Sequence, residues 1–338
     1  MARVLLDFRI DDGGVGRYGR DLVQGLRELA GGPKVEVLRR GRGLGKARIQ
    51  PFTPWGRRAV ASRASKTSAD LIHGLHLELP ASDLPMVVTI QDLRPLDFPG
   101  QMRPHRRLPL KAIVKRSMER ADKIIVPSYM TAESVERHGG RAAAEKVALV
   151  PLGVSEAFTP LSEEEKEQAR VRFAGGSRYV AGIFHHAFRP HKNFEAFVAT
   201  ASAALDKPPA SHLRFVAAGT GSASGPIRFT GQLSDRDLRL FYGGAEVLLL
   251  TSRVEGFGFP VVESLACGTS VVCSARVGVL GYLERGYRTA DVDDPAALLA
   301  AILASGDETP ISLDLDAAGL TVAHMASGTA DIYSSLLL

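Results

Sequence analysis

Cysteine is scarce: the chain has two in 338 residues, Cys267 and Cys273, both in one apolar stretch. Their spacing suits neither a zinc site nor a disulfide framework, which excludes the small stapled secreted folds and points to a reducing compartment. Long apolar runs are missing too. No segment approaches the ~18 consecutive apolar residues of a membrane-spanning helix. The opening MARVLLDFRIDDGG has Arg3, Asp7 and Arg9 inside its apolar run, unlike a signal peptide. A cytoplasmic protein is the expectation. Solenoid-length repeats and long low-complexity tracts are likewise absent.

What is present is an ordinary globular composition, 45% hydrophobic and 23% charged. At roughly 150 residues per domain, a chain of this length makes two domains with room for real cores. The net charge of +5 conceals an asymmetry. Residues 1–155 carry 27 Lys+Arg against 16 Asp+Glu, and the remainder 15 against 21, so the first half should attract anions.

RVLLDFRI reads as a buried strand, followed by a glycine turn at residues 12–16 and an amphipathic helix over about 17–29. Short apolar or β-branched runs recur at KVEVLR, DLIHGL, MVVTIQDL and KIIVPS, with helical patterns over 104–120 and 129–138. The second half repeats the theme with the strand-like runs RYVAGIF, LRFVAAG, IRFTGQL, EVLLLT and SVVCS. Between them lie the helical NFEAFVATASAAL, DRDLRLFYGGA and a segment from Pro260. Such alternation predicts mostly parallel sheets covered by helices, in two doubly wound α/β domains. PLGVSEAFTP marks a boundary, giving domains over 1–155 and 156–318, the second opening on a solvated helix at SEEEKEQARVRF. Residues 319–338 read as a helix packing back on the first domain.

The most specific signal is EGFGFPVVESLACG, residues 255–268. It follows the buried strand EVLLLT, and open α/β sheets bind ligands outside the carboxyl ends of such strands. Pro260 suits a first helical turn, which puts Glu263 in or near that turn and Glu255 on the glycine loop before it. Loop amides and a helix N-terminus form an anion site. Each carboxylate accepts paired hydrogen bonds from vicinal hydroxyls, as sugars and ribose offer. The alternative is a first-turn glutamate favoured by the helix dipole and an incidental loop residue.

GAEVLLLTSRVEGFGFPVVESLACGTSVVCS resembles the donor-site signature of the retaining family-4 glycosyltransferases, whose fold is GT-B: two Rossmann-like domains facing a central cleft. The likeness continues through GGVGRYGRDL, VVTIQDLRPLDFP, RADKIIVPS, VPLGV, FRPHKNFEAF, FTGQLSDRDLRLFY and the terminal helix. The resemblance implies metal-independent transfer of a glycosyl group from a nucleotide-diphosphate sugar to an acceptor hydroxyl, with retention and without a cofactor. It assigns Glu263 to the ribose hydroxyls, Glu255 to the transferred sugar, and the backbone of Gly256, Phe257 and Gly258 to the sugar or phosphate. Lys192 matches the lysine that contacts the donor diphosphate; without the resemblance it reads as a solvated helix-start lysine. Gly14 and Gly16 match the first-domain loop that approaches the diphosphate, although a tight strand-to-helix turn explains G-G-x-G equally well. The resemblance does not fix the nucleotide base, which such folds often contact through backbone around segments like residues 229–233.

The chain departs from the family in two places. An arginine common six residues before Lys192 is here His186; either Arg189 supplies the cation from a different place or the site holds one fewer charge. The histidine of a common H-D-L motif is here Gln91, which hydrogen-bonds a sugar hydroxyl but carries no proton or charge. General acid-base catalysis through that side chain is excluded. A transfer in which the departing phosphate accepts the acceptor's proton survives; a different donor sugar, or a weakened or lost activity, also fits, and Gln91 is expected to tune donor recognition.

Residues 101–123 hold 8 Lys+Arg against 2 Asp+Glu, interleaved with apolar residues. A core-facing helix with a solvated basic side and a helix lying on an anionic membrane through 103–123 both fit. With RRGRGLGKARIQPFTPWGRRAVASRASK, this segment suggests an anionic or lipid-linked acceptor on the first domain, at the inner face of a membrane. No nucleic-acid-binding motif is present. The rivals to a hexosyltransferase are a GT-B nucleotide-sugar epimerase and a degenerate nucleotide-sugar-binding protein. Donor turnover without acceptor separates the last of these from an enzyme.

Overall fold

The computed structural model describes residues 2–10, 13–39, 52–98, 100, 102, 104–186, 190–205, 207–208, 210–221, 225–306 and 311–338. They divide into two compact units, Met1–Gly153 with Gly319–Leu338, and Val154–Ala318.

The first unit runs β1 (Arg3–Phe8), α1 (Gly13–Glu28), β2 (Lys34–Arg39), α2 (Pro54–Thr67), β3 (Leu71–Gly74) and β4 (Met86–Thr89). It continues through α3 (Arg94–Asp97), α4 (Pro104–Arg120), β5 (Lys123–Val126), α5 (Tyr129–Gly139), α6 (Arg141–Ala144) and β6 (Val147–Leu149). The six strands are parallel, in the order β2-β1-β3-β4-β5-β6. Helices cover both faces of such a sheet, which is why its strands read as continuous apolar runs. Val4, Leu5, Leu6 and Phe8 of β1 are wholly buried. The chain winds from β1 to β2, then crosses β1 to reach β3, so the winding reverses between β1 and β3.

One expectation changes here. Helix α1 begins at Gly13, so Gly14 and Gly16 lie in its first turn and not in a loop ahead of it. Glycine lowers helix propensity, but the unpaired amides of a first turn are a property of any helix start.

The second unit runs α7 (Glu163–Ala174), β7 (Tyr179–His186), α8 (Phe194–Leu205), β8 (Arg214–Thr220), β9 (Ile227–Phe229) and α9 (Asp235–Gly243). It ends with β10 (Val247–Leu250), α10 (Phe259–Ala266), β11 (Ser270–Cys273), β12 (Tyr287–Thr289) and α11 (Pro295–Gly306). Again the strands are parallel, in the order β12-β11-β10-β7-β8-β9. The winding reverses between β7 and β10. Helix α7 is the solvated one, opened by a capping box in which Ser162 and Glu165 bond each other's backbone amides. Phe184, Phe197 and Phe215 centre the core under α8.

Helix α12 (Val322–Leu337) belongs to the first unit and lies close against α1. Two glycines allow the approach. A Cβ on Gly25 would sit 2.8 Å from Ala326 Cβ, and one on Gly153 would sit 2.5 Å from Val322 Cα. Among the described residues no helix is long and apolar enough to cross a membrane.

Candidate active site

In the second unit the reversal between β7 and β10 brings the segments after those two strands side by side at the carboxyl edge. Lys192 closes a short turn, Pro190–Lys192, after β7. That turn is clamped from both sides. Thr251 Oγ1 donates to the Lys192 carbonyl at 2.9 Å, and the Arg253 amide donates to the His191 carbonyl at 2.9 Å. The Arg253 guanidinium reaches the Pro190 carbonyl at 3.0 Å and Asp293 at 2.6 Å. Asn193, with φ at 51°, donates from Nδ2 to the Val292 carbonyl at 2.9 Å and to Asp293 at 3.0 Å. A left-handed residue strapped by its own side chain fixes where the lysine points.

Glu255 follows β10, and its carboxylate accepts a hydrogen bond from Lys192 Nζ at 2.5 Å. The pair is largely shielded, with 21% and 14% of the two side chains exposed. Glu255 is itself held by a parallel bridge to Val277, its amide donating to the Arg276 carbonyl and its carbonyl accepting from Gly278, both at 3.0 Å. Two residues on, the Phe257 carbonyl accepts from the Val279 amide at 2.8 Å. The Phe257 ring is buried edge-on to Phe259. Gly258 caps α10 at φ +107°, and a Cβ there would meet Val277 Cγ1 at 2.4 Å. Conformation and space both demand glycine at that position. Gly256 completes the loop between the two, half-buried.

Glu263 lies deeper than its sequence position suggested. Helix α10 starts at Phe259, one residue before Pro260, so Glu263 is the fifth helical residue and falls outside the first turn. It is 2% exposed and accepts a hydrogen bond from the Tyr242 hydroxyl at 2.8 Å. A carboxylate that far from water needs such a donor. The dipole-favoured surface glutamate is therefore not what the fold contains. Ser252 Oγ, at the same strand end, is buried without a hydrogen-bond partner among the described residues. His186 closes β7, its backbone opposite Thr220; Arg189 lies outside the described residues.

In the first unit, Gly14 faces solvent, and a Cβ added to it would meet only Gln91 Oε1, at 3.9 Å. Packing does not require glycine there, in contrast to Gly19, where a Cβ would strike the Phe8 ring at 2.3 Å. Gly16 is buried. Gln91 follows β4, its carbonyl accepting from Thr131 Oγ1 at 3.2 Å. Its Nε2 is buried with no partner among the described residues.

The switch point between β1 and β3 holds a buried ionic cluster that local sequence pattern does not announce. Arg9 donates to both oxygens of Asp7 at 2.6 Å and to Glu78 at 3.1 Å; Arg57 donates to Glu78 at 3.0 Å. His76 Nε2 lies 3.3 Å from Asp7. Burial by itself raises the Asp7 carboxyl, and His76 with Arg9 overcomes it, bringing it down to about 2. Glu78 also accepts from the Phe52 amide at 2.7 Å, which anchors the entry to α2.

Helix α4 buries Val114, Ser117 and Met118 and exposes Arg106, Lys111, Lys115 and Arg116, a core-facing helix with a solvated basic side. Much of the other basic stretch, residues 40–51, lies outside the described residues. Burial pushes the Cys267 and Cys273 thiols up to about 12, which makes both unreactive. Among the described residues no group of three or more His, Cys, Asp or Glu is arranged to hold a metal ion.

Comparison with known proteins covers both units. Residues 12–158 match the model of Glycosyltransferase Family 4, and residues 178–305 that of Glycosyl transferases group 1. Curated relatives include O-antigen chain mannosyltransferase B of Escherichia coli, 36% identical over 85 residues, 25% of this chain and 22% of that protein. Another is the D-inositol 3-phosphate glycosyltransferase of Nocardiopsis dassonvillei, 30% identical over 217 residues, 55% of this chain and 49% of that one. The chain thus spans about half the length of these relatives, or less. Among solved structures, Alr3699/HepE of Anabaena in complex with UDP and glucose superposes with a TM-score of 0.76 at 16% identity, over 99% of this chain and 100% of that one. WaaG, a glycosyltransferase involved in lipopolysaccharide biosynthesis, gives 0.67 at 14% identity, over 97% and 95% of the two chains. At such identities the likeness establishes the fold, which is the two-domain α/β GT-B fold. With each unit matched by a glycosyltransferase model, the chain belongs to glycosyltransferase family 4.

Proposed function

We propose that this protein transfers a hexose or modified hexose from a nucleotide-diphosphate sugar to an acceptor hydroxyl, with retention of anomeric configuration. The observation that carries the reading is the Lys192–Glu255 pair at the switch point of the second sheet, on the loop that leads into α10 and its buried Glu263. A cation and two carboxylates at a glycine-lined helix start suit a diphosphate flanked by two sets of hydroxyls. The UDP and glucose named for the Anabaena protein support that donor class, and the E. coli relative's name supports a hexose.

In this reading Glu263 holds the ribose hydroxyls, Glu255 the transferred sugar, and Lys192 the leaving diphosphate. The bond from the anomeric carbon to phosphate oxygen breaks, the acceptor oxygen bonds to that carbon, and its proton passes to the departing phosphate. Gln91 takes no part as acid or base. Its unpartnered Nε2 carries a desolvation cost of about 1–3 kcal/mol that a sugar hydroxyl oxygen would relieve. Gly14 is exposed, and a Cβ there would meet only Gln91 Oε1, at 3.9 Å, so the approach to that side chain is open. The exposed basic side of α4 favours an anionic acceptor, a phosphorylated lipid carrier or an acidic surface.

Thermal shift across UDP, GDP and ADP, each with and without its sugar, tests the donor site. At 100 times its dissociation constant, a true ligand stabilises by about 2.7 kcal/mol and raises the melting temperature by a few degrees. A flat response to every nucleotide would remove the basis for the reading.

A further inference from the structure

A chain of hydrogen bonds crosses the interior of the first unit, and the proposed transfer reaction makes no direct use of it. The Tyr333 hydroxyl, on α12, lies 2.6 Å from His73 Nδ1, on β3. His73 Nε2 lies 2.8 Å from Thr89 Oγ1, the last residue of β4, and that oxygen lies 2.8 Å from the Tyr18 hydroxyl, on α1. None of the four residues is more than 2% exposed. Four polar side chains are thus withdrawn from water where apolar residues would pack at lower desolvation cost. A hydrogen-bonded polar network in such a place favours one relative arrangement of the elements that carry it.

The last two members of the chain stand near Gln91 and the glycines of α1. Thr89 stands two residues before Gln91, and Tyr18 two residues after Gly16. Gln91 and Gly14 in turn face one another, with Gln91 Oε1 3.9 Å from where a Gly14 Cβ would lie. α12 bonds β3, β3 bonds β4, and Thr89 of β4 bonds Tyr18 of α1, so one hydroxyl ties the strand that precedes Gln91 to the helix that carries Gly14. The ring of His73 also sits edge-on to that of Tyr333, with centroids 5.6 Å apart. Burial lowers the His73 pKa to about 3, so the ring is neutral and offers one donor and one acceptor, which fills both of its bonds.

We propose that Tyr333, His73 and Thr89 are positioning residues through which the C-terminal helix α12 sets the placement of Gln91 against the glycine turn of α1. The catalytic part of the inference rests on the transferase reading; the structural part does not. The test follows both. In Tyr333→Phe the ring remains and the hydroxyl is lost, and in Thr89→Val the shape remains and the bonding is lost. Each variant is expected to lower kcat about 10-fold with the donor KM unchanged, since a small misplacement at a reacting centre has large effects. The two together should cost no more than either alone. Thr89→Ser, which keeps the hydroxyl, should restore the rate.

The second readout is the side-chain amide resonance of Gln91 in ¹H–¹⁵N spectra, assigned by its loss in Gln91→Glu. It should shift in Tyr333→Phe and in Thr89→Val, and keep its wild-type position in Thr89→Ser. Unmoved Gln91 resonances in folded Tyr333→Phe would overturn the proposal, as would additive losses in the double variant. If the wild-type protein turns over no donor, the functional reading fails, while the Gln91 resonance still decides whether the relay exists.

Discussion

Lys192→Met and Glu255→Gln are each expected to lower donor turnover by about 10²–10³-fold, the usual loss when one preorganised charge at a developing charge is removed. Their effects on nucleotide binding should nonetheless have opposite signs. In the free protein Lys192 is bonded to Glu255 at 2.5 Å, so an incoming diphosphate competes with that carboxylate for the ammonium. Removing the lysine takes away the phosphate's counter-charge, and nucleoside diphosphate should bind roughly 10-fold more weakly. Removing the glutamate's charge frees the lysine, and the same ligand should bind about 3–10-fold more tightly, a difference of about 1 kcal/mol. Isothermal titration with the diphosphate, beside single-turnover assays with the sugar nucleotide, separates the two. Parallel weakening in both variants would mean that the pair merely braces the loop.

A second large effect should appear in stability as the pH falls. His73 is held neutral by burial, with its pKa lowered from 6.5 to about 3. Below pH 6.5 the unfolded chain binds a proton at this ring that the folded chain refuses. Stability is therefore lost from about pH 6.5 downward, and the loss is complete near pH 3. Each pH unit within that window costs on the order of 1 kcal/mol, so a few kcal/mol has gone by pH 4.5. Asp7 adds to this only further down: its folded pKa of about 2 lies below the ordinary 3.8, so its contribution is present above 3.8 and disappears as the pH falls through 2. Urea melts at pH 7.0 and 4.5 check the window. His73→Gln should start less stable at pH 7.0 yet show a smaller loss on acidification. An equal loss in both proteins would place the acid-sensitive group elsewhere.

The family and the fold were legible because their signals are local. Parallel strands buried on both faces leave apolar runs, Ser162 and Glu165 spell a capping box, and Pro260 marks the first turn of α10. The E-x7-E spacing and Lys192 stand in motifs a few residues long. What the sequence hid depends on residues far apart in the chain. Tyr242 bonds Glu263 across 21 positions, Asn193 bonds Asp293 across 100, and His73 bonds Tyr333 across 260. No periodicity encodes such pairs, because each is set by which strands become neighbours. The start of α1 was misread for a different reason. Three glycines in four residues suggest a turn on propensity alone, yet the helix starts among them, with only Gly13 left-handed, at φ 59°.

The central claim, transfer from a nucleotide-diphosphate sugar with retention, is tested most directly by following the anomeric proton during turnover. The donor that stabilises the protein is incubated with a lipid-phosphate or sugar-phosphate acceptor, and the product is read by ¹H NMR. The account predicts one equivalent of nucleoside diphosphate released per glycoside formed, with the anomeric coupling of the product matching that of the donor. A product of inverted configuration, or a bound donor rearranged to its epimer without transfer, would contradict it.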